Sequence, residues 1–191
     1  SQDRCLAVRV WGVGWVLAVA DGSGDGGGRA AQLAVDAVAE VGPRLLWRDP
    51  QAWRRLLRAV DDLLAGGEEP GKTSLVALCV TPWRIVGASA GDAVARWVGP
   101  DGALDLTGGQ ARRPLLGTGA AEPVPFRAAT PRRGALAVVS GGLWRNVPPG
   151  DLDRLLADPP PGDPAAAAVA LARPQSPSPP GDAAALVLRR G

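Results

Sequence analysis

The sequence predicts an α+β fold in which helices pack on antiparallel sheets. Two observations predict it, the order of the segments and the turns between them. Two apolar strands are followed by two amphipathic helices, and then by at least four strands, short helices and a last strand. Segregated blocks of this kind favour antiparallel sheets covered by helices over alternating βαβ units. The 191 residues, 46% of them apolar, predict a single domain, 1–191, with a sizeable core.

The first third of the chain contains two predicted strands and two predicted helices. The strands are Cys5–Val10 and Trp15–Ala20, joined by a glycine-containing turn. A helix is predicted over Arg29–Val41, because apolar residues recur near helical spacing until a glycine-proline pair ends the pattern. A second helix is predicted over Pro50–Leu64, because an aspartate N-cap precedes the proline and a single apolar stripe follows it.

The remainder of the chain contains mostly strands. The predicted strands, each an apolar run bounded by turn residues, are Ser74–Thr81, Trp83–Ala90, Ala93–Val98, Ala135–Ser140 and Ala184–Arg189. Two short helices are predicted at Asp151–Ala157 and Pro164–Ala172. The stretch 112–131, interrupted by proline and glycine, is predicted mostly as loop, and the proline-serine stretch 174–180 as a connector.

Composition excludes several classes of function. The chain contains no histidine, so Ser-His-Asp and Cys-His catalysis and histidine-ligated zinc sites are excluded. The net charge is +2 and the arginines are scattered, which is typical of a solvated surface and disfavours nucleic acid as a partner. No apolar stretch reaches the roughly 18 residues that a membrane span needs. Two cysteines in apolar runs form no disulfide framework, which favours the cytoplasm.

Two further features concern the origin of the chain. It is rich in alanine, arginine and proline and has a single lysine, which is typical of a GC-rich bacterial genome. It begins at Ser1 and contains no methionine, so we expect a processed form or a domain cut from a longer protein.

One nucleotide-binding pattern occurs in the chain. Gly66 and Gly71-Lys72-Thr73 match G-x-x-x-x-G-K-T. That loop binds phosphates only where a strand precedes it and a helix follows, because the helix N-terminus receives the phosphates. Here a predicted helix precedes the pattern and a predicted strand follows it, so no nucleotide site is predicted.

Four acidic turns lie at the ends of apolar strands. They contain Asp3, Asp21, Asp92 and Asp182. Asp21 opens a glycine-rich turn whose backbone carbonyls are free to approach a cation. Carboxylates and backbone oxygens are the ligands that Mg²⁺ and Mn²⁺ prefer. Taken singly, each aspartate is more often a turn former or a cap, so spacing alone leaves their convergence open.

Short motifs run through the whole chain in a fixed order. They are Gln2-Asp3-Arg4, Asp21-Gly22-Ser23-Gly24, Gly71-Lys72-Thr73-Ser74, Gly91-Asp92, Ser140-Gly141-Gly142-Leu143-Trp144 and Gly181-Asp182. Each is weak alone. The ordered set resembles that of the PPM-type (type-2C) metal-dependent serine/threonine protein phosphatases, whose motifs read N-[EQ]-D, D-G-x-G-G, G-T-T, G-D-S-R, S-D-G-L-W and D-N-x-T.

The resemblance implies a four-layer α-β-β-α sandwich and a centre with two Mg²⁺ or Mn²⁺ ions that activates water for attack on phosphoserine or phosphothreonine. Carried over by motif, Asp21 bridges the two ions and the Gly22 carbonyl ligates one of them. Asp182 ligates the other, Asp3 lies in the metal-water shell, and Asp92 helps to hold a third ion. The implied partners are a phosphoprotein substrate and a cognate serine/threonine kinase.

The chain departs from these motifs at three places. Gly141 stands where S-D-G-L-W supplies a metal-binding aspartate, so one ion loses a charged ligand. Ala183 and Ala185 replace the N and T of the last motif, and Ala93 replaces the serine of G-D-S-R, which mostly removes hydrogen bonds to ligands. The chain starts at the first motif, so we expect the family's first strand and its phosphate-binding arginine, which lie just upstream of that motif, to be absent from it.

Three interpretations therefore stay open. The persistence of four acidic positions favours an active phosphatase, and Asp25, in the same turn as Asp21, is a further candidate ligand. Gly141 favours instead a catalytically silent module that binds a phosphoprotein or a regulatory partner. In the third interpretation the acidic turns only cap strands, and a divalent metal then has no effect on stability.

Overall fold

A computed structural model describes residues 1–45, 48–67, 71–148, 150–172 and 182–190. Nine strands in these ranges form two antiparallel sheets. The strands are β1 Arg4–Val10, β2 Gly14–Ser23, β3 Lys72–Val80, β4 Arg84–Ala90, β5 Val94–Gly99, β6 Gly102–Asp105, β7 Val124–Ala129, β8 Gly134–Val139 and β9 Ala185–Arg190. The larger sheet has the order β1-β2-β3-β4-β7 and the smaller one β6-β5-β8-β9.

Five α-helices flank the sheets in the described residues. They are α1 Gly27–Val41, α2 Pro50–Ala65, α3 Gly141–Asn146, α4 Asp151–Ala157 and α5 Pro164–Leu171, with a 3₁₀ turn, Gly42–Arg44, after α1. The predicted cap of α2 is confirmed, since the Asp49 side chain accepts a hydrogen bond from the Gln51 N–H at 2.9 Å. None of the helices in these ranges is long and apolar enough to cross a membrane.

The apolar strands are buried on both faces because the molecule has four layers. In β2, Val16 and Ala18 pack in the cluster that contains α1 and α2, whereas Leu17 and Val19 pack against the smaller sheet. A third cluster packs the outer face of the smaller sheet against α3, α4 and α5. Buried strands of this kind need apolar residues on both faces, which explains the continuous apolar runs. The predicted α+β sandwich of two antiparallel sheets flanked by helices is confirmed.

The sequence prediction was wrong or incomplete in three segments. The stretch 112–131, predicted mostly as loop, contains the edge strand β7. The four-residue edge strand β6 was not predicted, and neither was α3. The predicted connector 174–180 lies outside the described residues. The order predicted around Gly71-Lys72-Thr73 is confirmed, because α2 precedes it and Lys72 begins β3.

The strand register brings the acidic turns of the larger sheet to one end. Arg4 pairs with Ala20 and Asp21 pairs with Ser74, so Asp3 follows the same register to the end of β2. Leu75 pairs with Ala90 in the next ladder. The turn after β4, which contains Asp92, therefore lies at this end as well.

Candidate metal centre

A cleft of about 510 Å³ opens where the ends of these strands meet. Its lining includes three carboxylates and three guanidinium groups: Asp21, Asp92, Asp182, Arg112, Arg113 and Arg145. Three of the four acidic residues predicted as ligands thus share one cleft. The arginines were not predicted. Arg112 and Arg113 had been assigned to a solvated surface, and their exposed side chains lie on this wall.

Asp21 is fixed at the end of β2 from both sides. Its Oδ2 accepts a hydrogen bond from the Gly142 N–H at 3.0 Å, and its backbone oxygen accepts one from the Thr73 hydroxyl at 3.0 Å. The first bond joins the larger sheet to the start of α3. Gly142 is required there, because a Cβ on it would lie 2.2 Å from the Asp182 carbonyl oxygen. The Asp21 carboxylate and the Asp182 backbone therefore both lie against Gly142 in the first turn of α3.

Asp3 is a buried carboxylate with few partners. The residue is 7% exposed, and neither carboxylate oxygen accepts a hydrogen bond of normal geometry in the part of the chain that the structure describes, although the nearby Ser140 hydroxyl lowers the pKa of Asp3 in part. Burial, and next the nearby charge of Asp21, raise the pKa of Asp3 to about 7. A buried carboxylate with few partners, next to a second carboxylate, is a place where a cation would lower the free energy.

Asp182 and Gly22 complete this side of the cleft. The Asp182 Oδ2 accepts a hydrogen bond from the Gln2 N–H. Just after Asp182, the Ala184 N–H donates to the Ser140 hydroxyl at 3.0 Å, which holds the start of β9 against the start of α3. Gly22 lies where α1 approaches β2, since a Cβ on it would be 2.4 Å from the Gly27 carbonyl oxygen. Oxygen donors of the kinds predicted are therefore near Asp21.

Asp92 also lines the cleft, next to Gly141, and is paired with an arginine. Its Oδ2 accepts a charge-assisted hydrogen bond from Arg145 in α3. Gly141 gives the carboxylate its room, because a Cβ at that position would lie 2.4 Å from the Asp92 Oδ1. The pair was missed by sequence reasoning. The sequence feature that could have indicated the pair is the arginine at position 145. It lies four residues after Gly141, in a helix that was not predicted.

The oxygen donors around Asp21 are of the kinds that a hard divalent ion prefers. Among the residues that the structure describes, no three acidic or cysteine side chains form a cluster that could hold a metal. Mg²⁺ is nevertheless commonly bound by one or two protein carboxylates together with several waters. Asp3 and Asp21, with Gly22 and Asp182 nearby, satisfy that requirement on one side. Asp25, the further candidate, is exposed in the turn and is not part of the cleft lining described above.

Solved structures of serine/threonine phosphatases have the same fold as this chain. Stp1 from Staphylococcus aureus superposes with a TM-score of 0.78 at 16% identity, over 100% of this chain and 89% of that one. The catalytic domain of PstP, in complex with two manganese ions, gives 0.78 at 19% identity over 97% and 89%. The PPM phosphatase MsPP from Mycobacterium smegmatis, in complex with cacodylate, gives 0.74 at 19% identity over 100% and 91%.

No family model and no curated protein sequence matches this chain. The similarity to the solved phosphatases, at 16–19% identity, therefore establishes the fold. The predicted resemblance to the PPM-type fold is confirmed at that level. Residue roles rest on the geometry of the cleft.

Proposed function

We propose that this chain is a divalent-metal-dependent phosphatase that removes phosphate from phosphoserine and phosphothreonine in proteins. One observation carries the proposal: the buried carboxylate of Asp3 lies beside Asp21, and Asp21 lines a cleft that also contains guanidinium groups. The fold shared with serine/threonine phosphatases supports the reaction class. The proposed metal ligands are Asp3, Asp21, the Gly22 carbonyl and Asp182. An intracellular phosphoprotein and its kinase are the proposed partners, in the cytoplasm.

The proposed chemistry needs a cation and a group that orients it. A bound Mg²⁺ or Mn²⁺ lowers the pKa of its water ligand and neutralises charge on phosphoryl oxygens. Asp21 is the orienting group, because the Gly142 N–H fixes one of its oxygens and leaves the other for a ligand. Asp3 is shielded from water by its burial, and neither of its oxygens accepts a hydrogen bond of normal geometry in the described residues. Asp21, Asp182 and Asp3 are thus the proposed catalytic carboxylates.

The arginines of the cleft are proposed to bind the phosphoryl group. Arg112 and Arg113 are exposed on the wall, and their planar guanidinium groups match the geometry of phosphate oxygens. Positive charge on that wall also attracts an anionic substrate toward the carboxylates.

A second function is favoured by one specific observation. Asp92 is already paired with Arg145, and Gly141 provides no carboxylate on that side of the cleft. A cleft with guanidinium groups and a reduced ligand set suits binding of a phosphoprotein without hydrolysis. The module would then act as a regulator and not as an enzyme.

The decisive experiment is Mn²⁺-dependent hydrolysis of a phosphothreonine peptide. We expect phosphate release that stops on chelation and is restored by Mn²⁺. Asp21→Asn should lower the rate by more than the roughly 100-fold that loss of a hydrogen bond to a metal ligand costs, because a ligand itself is lost. Asp62→Asn, an exposed aspartate of α2 distant from the cleft, is the matched control and should keep the full rate.

Three other results would contradict the proposed metal-dependent phosphatase activity. Release that persists after chelation would remove the metal from the mechanism. Equal rates for Asp21→Asn and the unaltered chain would remove Asp21 from it. Peptide binding without phosphate release at any Mn²⁺ concentration would replace the enzyme by the binding module.

A further inference from the structure

The two sides of the cleft differ in their supply of positive charge. Asp92 has a cationic partner, because the Arg145 guanidinium pairs with its Oδ2. Neither oxygen of Asp3 accepts a hydrogen bond of normal geometry in the described residues, and Asp21 has one neutral N–H on its Oδ2. Asp92 is thus paired with a cationic side chain and Asp182 only with the amino group of Ser1, 3.9 Å away, whereas Asp3 and Asp21 lie beside each other.

Gly141 and Arg145 act together to produce this asymmetry. A side chain at position 141 would occupy the space of the Asp92 carboxylate, because its Cβ would lie 2.4 Å from both the carboxyl carbon and Oδ1. With glycine there, the carboxylate lies against the first turn of α3. Arg145 follows four residues later on the same helix, so it projects from the same face and reaches Asp92. The turn that carries Asp92 is itself fixed by Gly91 at a φ of +89°.

A divalent ion on this side would have to displace the guanidinium. It would gain Asp92 and would have to share Asp21 or Asp182 with the first ion, because position 141 supplies no carboxylate. In exchange it would leave Arg145 without its carboxylate in a cleft that already contains Arg112 and Arg113. The exchange is unfavourable, since a hard cation needs several oxygen ligands and like charges repel at short range.

We propose that Arg145 takes the place of a second metal ion, so that the cleft binds a single divalent cation on the side of Asp3 and Asp21. The guanidinium supplies the positive charge of the other side and is available to a phosphoryl oxygen. This inference rests on the metal dependence proposed above. It departs from the two or three ions that the sequence resemblance implies, and it removes Asp92 from the ligand set.

The test is the number of Mn²⁺ ions bound, measured by calorimetric titration and by electron paramagnetic resonance. The unaltered chain should bind one ion, with the spectrum of an isolated Mn²⁺. Asp92→Asn, nearly isosteric, should keep that ion with the dissociation constant changed by less than about threefold. Asp21→Asn should weaken it more than about 100-fold. The double variant Gly141→Asp with Arg145→Gln should bind two ions and show exchange coupling between them.

A matched control removes a different paired arginine. Arg154 donates to Asp151 at 2.6 Å on α4, so Arg154→Gln makes the same charge change as the Arg145→Gln part of the double variant, outside the cleft lining. It should bind one ion like the unaltered chain. If this control also bound a second Mn²⁺ ion, the second ion in the double variant would be explained by net charge. That result would overturn the role of Arg145.

The outcomes separate this inference from the proposed function. Two coupled ions in the unaltered chain would overturn the inference and leave metal-dependent hydrolysis intact. Loss of the single ion in Asp92→Asn would also overturn it, because the ion would then lie on the wrong side. Absence of any bound Mn²⁺ would overturn both. A single ion in a chain that does not hydrolyse phosphopeptides would support the inference and contradict the enzyme.

Discussion

Two buried aspartates in this molecule have opposite surroundings. Asp61, on α2, is fully buried, and its carboxylate accepts four backbone hydrogen bonds. The donors are the N–H groups of Gly117 (2.7 Å), Thr118 (3.0 Å), Gly119 (3.0 Å) and Ala121 (2.8 Å). Asp3 is 7% exposed, and neither of its oxygens accepts a hydrogen bond of normal geometry in the described ranges.

The comparison teaches that burial alone does not assign a role to a carboxylate. Asp61 satisfies the amide groups of a loop that crosses the end of α2, and those groups satisfy its charge, so both partners are stabilised. Asp3 lowers the stability of the metal-free fold, because a buried charge without partners is costly. A group that destabilises the fold where it lies is a functional candidate, since active sites trade stability for chemistry.

Removing the carboxylate of Asp61 should have the largest effect on stability. Asp61→Ala leaves four buried or half-buried N–H groups unpaired, and we expect a loss of about 3 to 5 kcal/mol in the free energy of unfolding. Urea titration measures it. Asp62→Ala, the exposed neighbour on the same helix, should change stability by less than about 0.5 kcal/mol. A similar small change in Asp61→Ala would contradict the structural role.

Removing the charge of Asp3 should increase the free energy of unfolding, in contrast to the loss expected for Asp61→Ala. In the presence of chelator at pH 8, Asp3→Asn should raise the free energy of unfolding by about 1 to 3 kcal/mol, because an uncompensated buried charge is replaced by a neutral amide. The same variant should lose the stabilisation that Mn²⁺ gives the unaltered chain. A destabilised Asp3→Asn in chelator would show that the carboxylate has a structural partner.

Most of the fold could be predicted because its strands are buried on both faces. Continuous apolar runs such as that of β3 are readable without knowledge of their partners. The two missed strands lie at sheet edges, where burial gives no pattern. All four residues of β6 are exposed, and β7 contains Pro125, which a central strand would not tolerate but an edge strand does.

The candidate site was only partly predictable from the sequence. Asp3, Asp21, Asp92 and Asp182 precede or follow apolar strands, so their positions at strand ends could be anticipated. The pairing of Asp92 with Arg145 could not, because it joins residues 53 positions apart through a helix that was not predicted. The same holds for Asp61, whose partners lie 56 to 60 residues away in an irregular loop.

The smallest expected effect is the pH dependence of stability in the metal-free protein, which tests the contrast between Asp3 and Asp61. The pKa of Asp3 is raised from 3.8 to about 7, so between these values the folded state holds a proton that the unfolded state has lost. Stability should therefore fall as the pH rises from about 4 to about 7, by at most about 1.4 kcal/mol per pH unit from this group. Urea titrations in chelator at several pH values should show the fall in the unaltered chain and a flatter profile in Asp3→Asn. Identical profiles for the two proteins would mean that ionisation of Asp3 does not destabilise the fold. Asp3 would then not differ from Asp61 in the way proposed.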